Sequence, residues 1–270
     1  MIKMVVTDMD GTLLDKNSKI SETNLQMIRE LQSKGILFTV ATGRCEQLIK
    51  EYKSELQLQL PAILYNGSII MNLDNNDYIY KESINKTIAL EIANYLQSKN
   101  VVYMLYTSDA IHTIPNERWD YFNRRNETLP IEQQSTFKRI TTNEEIIGNN
   151  DIPKILILEE NEEKKDHLYD QIIKYPGITV SKSSSVFIDI NPENTSKGDA
   201  VKYLAAKHNI EMTDVLVLGD QDNDHSMFDV AGYTVATNNA IEPLKQRADF
   251  ITKNCYDDGF EHALRKLIEM

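Results

Sequence analysis

Asp8-Met9-Asp10-Gly11-Thr12-Leu13 comes directly after the apolar run Met4-Val5-Val6. An apolar strand that ends in two acids two residues apart, then Gly-Thr, holds both carboxylates at the carboxyl edge of a sheet and turns the backbone around them. From there Asp8 can attack phosphorus and become an aspartyl phosphate. Asp10, on the turn, can protonate the leaving oxygen and later deprotonate the attacking water. Gly11 permits a backbone conformation that a Cβ penalises and leaves room for N–H groups to approach phosphate oxygens. The same residues also fit a strand that merely ends in a polar turn, where Asp and Gly are common; the rest of the chain has to decide.

Three further clusters fall at ends of apolar runs. In Thr39-Val40-Ala41-Thr42-Gly43-Arg44 the Thr42 hydroxyl and the Gly43 N–H could donate to a phosphoryl oxygen, although Thr42 also suits a helix N-cap. Thr195-Ser196-Lys197-Gly198 places a lysine at a helix start, where the dipole disfavours a cation, so Lys197 needs a compensating anion unless it is simply a solvated surface lysine. Val215-Leu216-Val217-Leu218-Gly219-Asp220 runs on into Gln221-Asp222-Asn223-Asp224. Oxygen-only ligands suit a hard cation, and a site with room for water and phosphate suits magnesium. The spacing of Asp220, Asp222 and Asp224 also opens a calcium-binding helix-loop-helix. That reading fails because the glycine position is His225 and the bidentate glutamate position is Ala231. Asp222 is expected to face solvent.

The elements that must position these residues alternate at both ends of the chain. Strands are expected at Met4 to Thr7, Ile36 to Ala41 and Ala62 to Tyr65, with helices over Glu22 to Lys34 and Glu46 to Leu56. The tail repeats the pattern: a helix over Asp199 to Asn209, strands at Val215 to Leu218, Thr234 to Ala236 and Phe250-Ile251, and a short helix Ser226 to Val230. Ser21 and Gly35 stand where a helix cap and stop belong. This implies an α/β fold, a doubly wound, Rossmann-like parallel sheet with helices on both faces. The middle differs, with paired neighbouring strands that suggest an antiparallel sheet carrying helices. The expected organisation is a catalytic core over 1–82 and 189–270 with an inserted α+β cap over 83–188. In a doubly wound sheet, ligands bind where strand order reverses, beyond the carboxyl ends. With the first strand central, the Ile36 and Ala62 strands on one side and the Val215 strand on the other, Asp8 and Asp220 become neighbours that magnesium could bridge. A phosphate dianion about 4 Å from an aspartate is opposed by roughly 4 kcal/mol per charge pair at an effective dielectric near 20. Magnesium and Lys197 would supply the opposing charge, and Thr42, Gly43 and Asn223 the hydrogen bonds that fix in-line geometry.

These motifs, in this order, resemble the haloacid dehalogenase superfamily of phosphatases, and within it the Cof-like branch (subclass IIB) with a large α/β cap. The resemblance extends through Tyr65-Asn66-Gly67, Ser196-Lys197-Gly198 and the tail segments Ala231-Gly232, Val235-Ala236, Asn239-Ala240, Ala248-Asp249 and Asp257-Asp258-Gly259. It implies Asp8 as nucleophile, Asp10 as acid and base, and magnesium held by the Asp8 carboxylate, the Asp10 backbone carbonyl and Asp220, with Asp224 supporting the metal. Thr42, Gly43, Lys197 and Asn223 would hold phosphate. Met9 stands where leucine is commoner, and only its backbone is expected to approach phosphate. The implied activity is magnesium-dependent hydrolysis of small phosphorylated metabolites such as sugar phosphates, nucleotides or cofactor precursors. A phosphosugar mutase and a non-enzymatic phospho-acceptor domain are the alternatives.

Composition narrows the partners. A net charge of −12 over 270 residues repels nucleic acid and anionic lipid, so the expected partner is a small phosphorylated metabolite. Cys45 and Cys255 match neither a disulfide framework nor a zinc spacing and read as reduced thiols. With no signal-peptide profile and no apolar run near the ~20 residues that span a bilayer, a cytoplasmic monomer or weak homo-oligomer is expected. The five histidines lack metal-ligand spacing. Trp119, with Arg118, Arg124 and Arg125, could line a substrate entrance or be a core aromatic beside a solvated basic face.

Overall fold

In the computed structural model, which describes residues 1–114, 120, 123–124 and 126–268, the first strand carries the site. β1 (Met4–Thr7) is followed by β2 (Leu37–Val40), β3 (Ala62–Leu64), β4 (Ile69–Met71) and β5 (Tyr78–Lys81). Then come β6 (Val102–Tyr106), β7 (Ile111–Thr113), β8 (Phe137–Arg139), β9 (Lys154–Leu158), β10 (Ile178–Lys182) and β11 (Phe187–Pro192). β12 (Val215–Gly219), β13 (Tyr233–Ala236) and β14 (Phe250–Ile251) complete the set. Two compact units divide the chain. Met1–Thr42, Tyr52–Ile79 and Ser196–Met270 form one; Gly43–Glu51 and Tyr80–Thr195 form the other. The segment Gly43–Glu51, read from sequence as part of the core, therefore groups with the inserted region.

The first unit is built on a five-stranded parallel sheet of order β14-β13-β12-β1-β2. β1 is buried along its whole length and runs in register with both neighbours, Thr7 lying opposite Leu218 on one side and Val40 on the other. Strand order reverses between β1 and β12, so the crevice beyond their carboxyl ends is the switch point. The helix Glu22–Ser33 packs on this sheet. Ser21 caps it by accepting the Asn24 N–H, Gly35 leaves it at φ 73°, and Asn24, Met27, Ile28 and Leu31 form the buried stripe. Burying each of the large apolar side chains among them contributes about 1.5–3 kcal/mol.

Three sequence expectations change here. The Ala62 strand does not extend the main sheet: β3 meets the end of β2 at a single parallel bridge, Ala41 to Ile63, and pairs antiparallel with β4 in a separate sheet of order β3-β4-β5. The physical cause is Tyr65-Asn66-Gly67, whose φ values of 50°, 56° and 104° reverse the chain directly after β3. The helix expected over Glu46 to Leu56 is broken into Glu46–Ile49 and Lys53–Leu56 by a 3₁₀ turn, Lys50–Tyr52, that turns Tyr52 inward, its hydroxyl donating to the Ser18 carbonyl at 2.9 Å. The helix expected from Asp199 begins at Lys197.

The second unit carries a six-stranded sheet of order β10-β11-β9-β6-β7-β8. It is mixed rather than antiparallel, because β7 and β8 run parallel. The long connection from Thr113 to Phe137 is what makes a parallel return feasible. Alternation puts Tyr103 and Leu105, Ile155 and Ile157, and Ile188 and Ile190 into one apolar core with the helix Lys86–Ser98. Within this unit Lys154 pairs with the buried Asp189 and donates to the Gly43 carbonyl at 3.0 Å. Both cysteines are free and buried. Among the described residues no helix is long and apolar enough to cross a membrane.

Candidate active site

The end of β1 delivers Asp8, whose N–H donates to the Leu218 carbonyl at 2.9 Å and which is only 6% exposed. The next turn closes on Met9: its carbonyl accepts the N–H groups of Leu13 and Leu14 at 3.0 and 2.9 Å. The Met9 side chain is buried, and Asp10 stands exposed on the turn. Gly11 has a φ of 88°, and a Cβ there would run into the Asp220 carboxylate, so glycine is required on both grounds. The end of β12 delivers Asp220 in the same way. Thr12 Oγ1 donates to Asp220 Oδ1 at 2.9 Å, and Gln221 Nε2 to Oδ2 at 3.2 Å.

Lys197 is fully buried and donates to Asp8 Oδ1 at 2.5 Å and to Asp224 Oδ1 at 2.6 Å. These are the anions that a lysine at the start of a helix needs. The other oxygen of Asp224 accepts the backbone N–H groups of Asp220 and Gln221 at 2.8 and 3.0 Å. Asp224 therefore anchors Lys197 with one oxygen and the acidic loop with the other. Asp8, Asp220 and Asp224 offer oxygens within 4.8 Å of one another.

Burial, followed by the charge of Asp224, pushes Asp220 up to about 7. Burial likewise raises Asp8 well above the usual carboxylate range; Lys197 opposes the shift, and Asp224, Asp220 and Asp10 reinforce it. Burial lowers Lys197, but the charges of Asp224 and Asp8 more than offset this, and it stays above the ordinary lysine range. Three buried carboxylates thus share one ammonium. An all-oxygen donor set short of positive charge fits a hard divalent cation.

The sequence profile of the haloacid dehalogenase-like hydrolases matches residues 5–264. The chain belongs to that family. Among its relatives, the 5-amino-6-(5-phospho-D-ribitylamino)uracil phosphatase YwtE of Bacillus subtilis is 29% identical over 99% of this chain and 98% of its own. The phosphatase YwpJ of the same organism is also 29% identical, over 99% of this chain and all of its own. A solved haloacid dehalogenase-like hydrolase from B. subtilis superposes with a TM-score of 0.89 at 27% identity, covering 99% of this chain and 100% of that one. This member of the family is a phosphomonoesterase.

The structure also places the other residues singled out from sequence. Thr42 is buried and is not a helix N-cap, since the next helix starts after Cys45. Its N–H donates to the Ile63 carbonyl and its own carbonyl accepts the Asn66 N–H, both at 2.9 Å. Asn223 Nδ2 donates to Asn66 Oδ1 at 2.9 Å. Gly43 groups with the second unit. Asp222 is partly buried rather than solvent-facing, and His225 is engaged by Arg247 at 3.1 Å. Arg124 is exposed; Arg118, Trp119 and Arg125 lie outside the described residues.

Sequence reading assigned no role to Thr12, Gln221, Asn66 or Asn239, although Asn239 Nδ2 donates to the Gly11 carbonyl at 2.7 Å. The available signal was that Thr12, Asn66 and Asn239 stand within the motif segments themselves and Gln221 directly beside Asp220.

Proposed function

We propose that the protein is a magnesium-dependent phosphomonoesterase acting on small phosphorylated metabolites through an aspartyl phosphate on Asp8. The observation that carries this reading is the buried Lys197 ammonium donating to both Asp8 and Asp224, beside Asp220, at the switch point of the sheet. In the first step an Asp8 oxygen forms a bond to phosphorus as the ester P–O bond breaks, and Asp10 gives its proton to the departing oxygen. In the second, Asp10 takes a proton from water as that water attacks phosphorus, which releases inorganic phosphate and restores the Asp8 carboxylate. Lys197, the Thr42 hydroxyl, the Asn223 amide and the Met9 N–H would hold the phosphoryl oxygens. Magnesium would be held by the Asp8 carboxylate, the Asp10 carbonyl and Asp220, with Asp224 in support; bound there it offsets the charge of the phosphoryl group.

Substrate choice is assigned to the inserted region. YwtE is named for a phosphorylated ribityl compound, so this belongs in a panel beside sugar phosphates, nucleotides and other cofactor precursors. Release of inorganic phosphate across that panel tests the activity. Interconversion of phosphate isomers without release would indicate a mutase instead.

The metal assignment has a separate readout. Saturating magnesium is expected to raise the Tm of the metal-stripped protein by roughly 5–10 °C, since binding at about 100 times Kd stabilises by about 2.7 kcal/mol. Asp220→Asn is expected to remove that rise. An undiminished rise in the variant would show that Asp220 is not a ligand. Calcium, with its larger and looser shell, is expected to bind without supporting turnover.

A further inference from the structure

The turn Tyr65-Asn66-Gly67 holds three consecutive residues at positive φ, of 50°, 56° and 104°. Such a conformation is uncommon for any residue with a Cβ and rare for one as bulky as Tyr65, which is buried here. Backbone held in that region persists only where its surroundings over-determine it. The surroundings are three separate segments of the proposed phosphate site. The Asn66 N–H donates to the Thr42 carbonyl at 2.9 Å. Asn66 Oδ1 accepts from Asn223 Nδ2 at 2.9 Å, across 157 positions of sequence. Gly67 lies so close to the Ser196 carbonyl that a Cβ would overlap it, immediately before Lys197.

We propose that Asn66 is a positioning residue for phosphoryl binding: its left-handed backbone ties down the Thr42 loop while its side-chain oxygen sets the orientation of the Asn223 amide. The inference rests on the reading of Thr42 and Asn223 as phosphate ligands. An amide can present either its oxygen or its NH₂ to a ligand, and only the NH₂ serves a phosphoryl oxygen. Because Asn66 offers Asn223 an acceptor, the NH₂ edge of Asn223 is the one turned toward Asn66 and the Thr42 loop that Asn66 ties down. One of its hydrogens is used on Asn66 and the other is held in a fixed direction. Preorganising a donor in this way removes the reorganisation that binding would otherwise require. Asn66 suits both tasks, since asparagine is among the few side chains that tolerate left-handed backbone and it carries the needed acceptor.

Asn66→Gly tests this, because glycine adopts the same backbone without strain and removes the side chain that carries the acceptor. The probe is inorganic phosphate, read as its inhibition constant against hydrolysis of an aryl phosphate. Asn66→Gly is expected to weaken phosphate binding and lower kcat/KM about tenfold each, with little change in Tm. Asn223→Ala is expected to do the same or more, and the double variant to be no worse than Asn223→Ala alone, as befits a residue that acts through its neighbour. Full additivity in the double variant would overturn the proposal, as would wild-type phosphate binding in Asn66→Gly when Asn223→Ala is impaired. Unchanged phosphate binding in Asn223→Ala would instead overturn the phosphate-site reading itself. A measurement on the unaltered protein stands independently of how the variants fold. By NMR, one Asn223 side-chain amide hydrogen is expected to exchange slowly and the other to shift on adding phosphate. Rapid exchange of both would refute the proposal.

Discussion

Asp8→Asn is expected to reduce kcat/KM toward every phosphate ester by a factor on the order of 10⁴ or more, with the fold intact. The replacement is nearly isosteric, so Lys197 still finds an oxygen at this position and keeps its 2.6 Å bond to Asp224. An amide, however, lacks the charge and nucleophilicity to form the bond to phosphorus. Removing one of three crowded carboxylates also relieves repulsion, since the charges of Asp224 and Asp220 are among the causes that hold Asp8 above its usual range. Tm is therefore expected to move by no more than about 4 °C, the equivalent of roughly 1 kcal/mol in a chain of this size. The direct readout is intact-protein mass spectrometry after brief exposure to substrate: the native enzyme gains one phosphoryl group and the variant none. A folded Asp8→Asn protein that kept about a hundredth of the native rate would remove the covalent route.

Lys197→Ala carries the second large effect, and it has two parts. Activity is expected to fall by about 10²–10³, the usual consequence of deleting one preorganised donor to developing charge. It should fall by the same factor for every substrate, because in the proposed mechanism Lys197 acts on the phosphoryl group they share and not on the leaving group. Stability is expected to fall as well, by about 3–5 kcal/mol, because truncation leaves buried carboxylates without the ammonium they share. Magnesium should recover part of that loss. Lys197→Arg is not expected to rescue either part, since a planar guanidinium cannot replace a compact ammonium that is fully enclosed and donates to two carboxylates at 2.5 and 2.6 Å. Rates across the substrate panel check the first part, and thermal unfolding with and without magnesium the second. A variant that was merely choosier among substrates would show that Lys197 serves the leaving group.

Much of the fold could be read locally. The run Met4 to Thr7 is apolar and β-branched enough to be a buried central strand. Ser21 and Gly35 bracket their helix for reasons contained in a few residues of chain. The second unit was harder. β8 is short and polar, with Lys138 and Arg139 exposed, so no alternation marks it, and the parallel pairing of β7 with β8 depends on a distant return of the chain. The Ala62 strand is the most instructive case: it lies beside β2, on the expected side, but meets it through a single bridge and gives its pairing to β4. Its apolar residues fit a central strand or a hairpin equally well, and the outcome was set by the left-handed run Tyr65-Asn66-Gly67, which turns the chain back.

By itself the sequence determined which residues could do chemistry: acids at the ends of apolar strands, a lysine at a helix start that calls for either an anion or open solvent, and glycines beside them. Strand ends and helix caps are local, and so is the chemistry they display. Only the tertiary structure decided which of those residues meet. Lys197 reaches Asp8 across 189 positions, Thr12 reaches Asp220 across 208, and Asn66 joins Thr42 to Asn223. Those meetings depend on the parallel register of β1 with β12, which sets Thr7 opposite Leu218 and so brings two strand ends level. Register is fixed by the packing of whole sheet faces, and no short stretch of chain contains it.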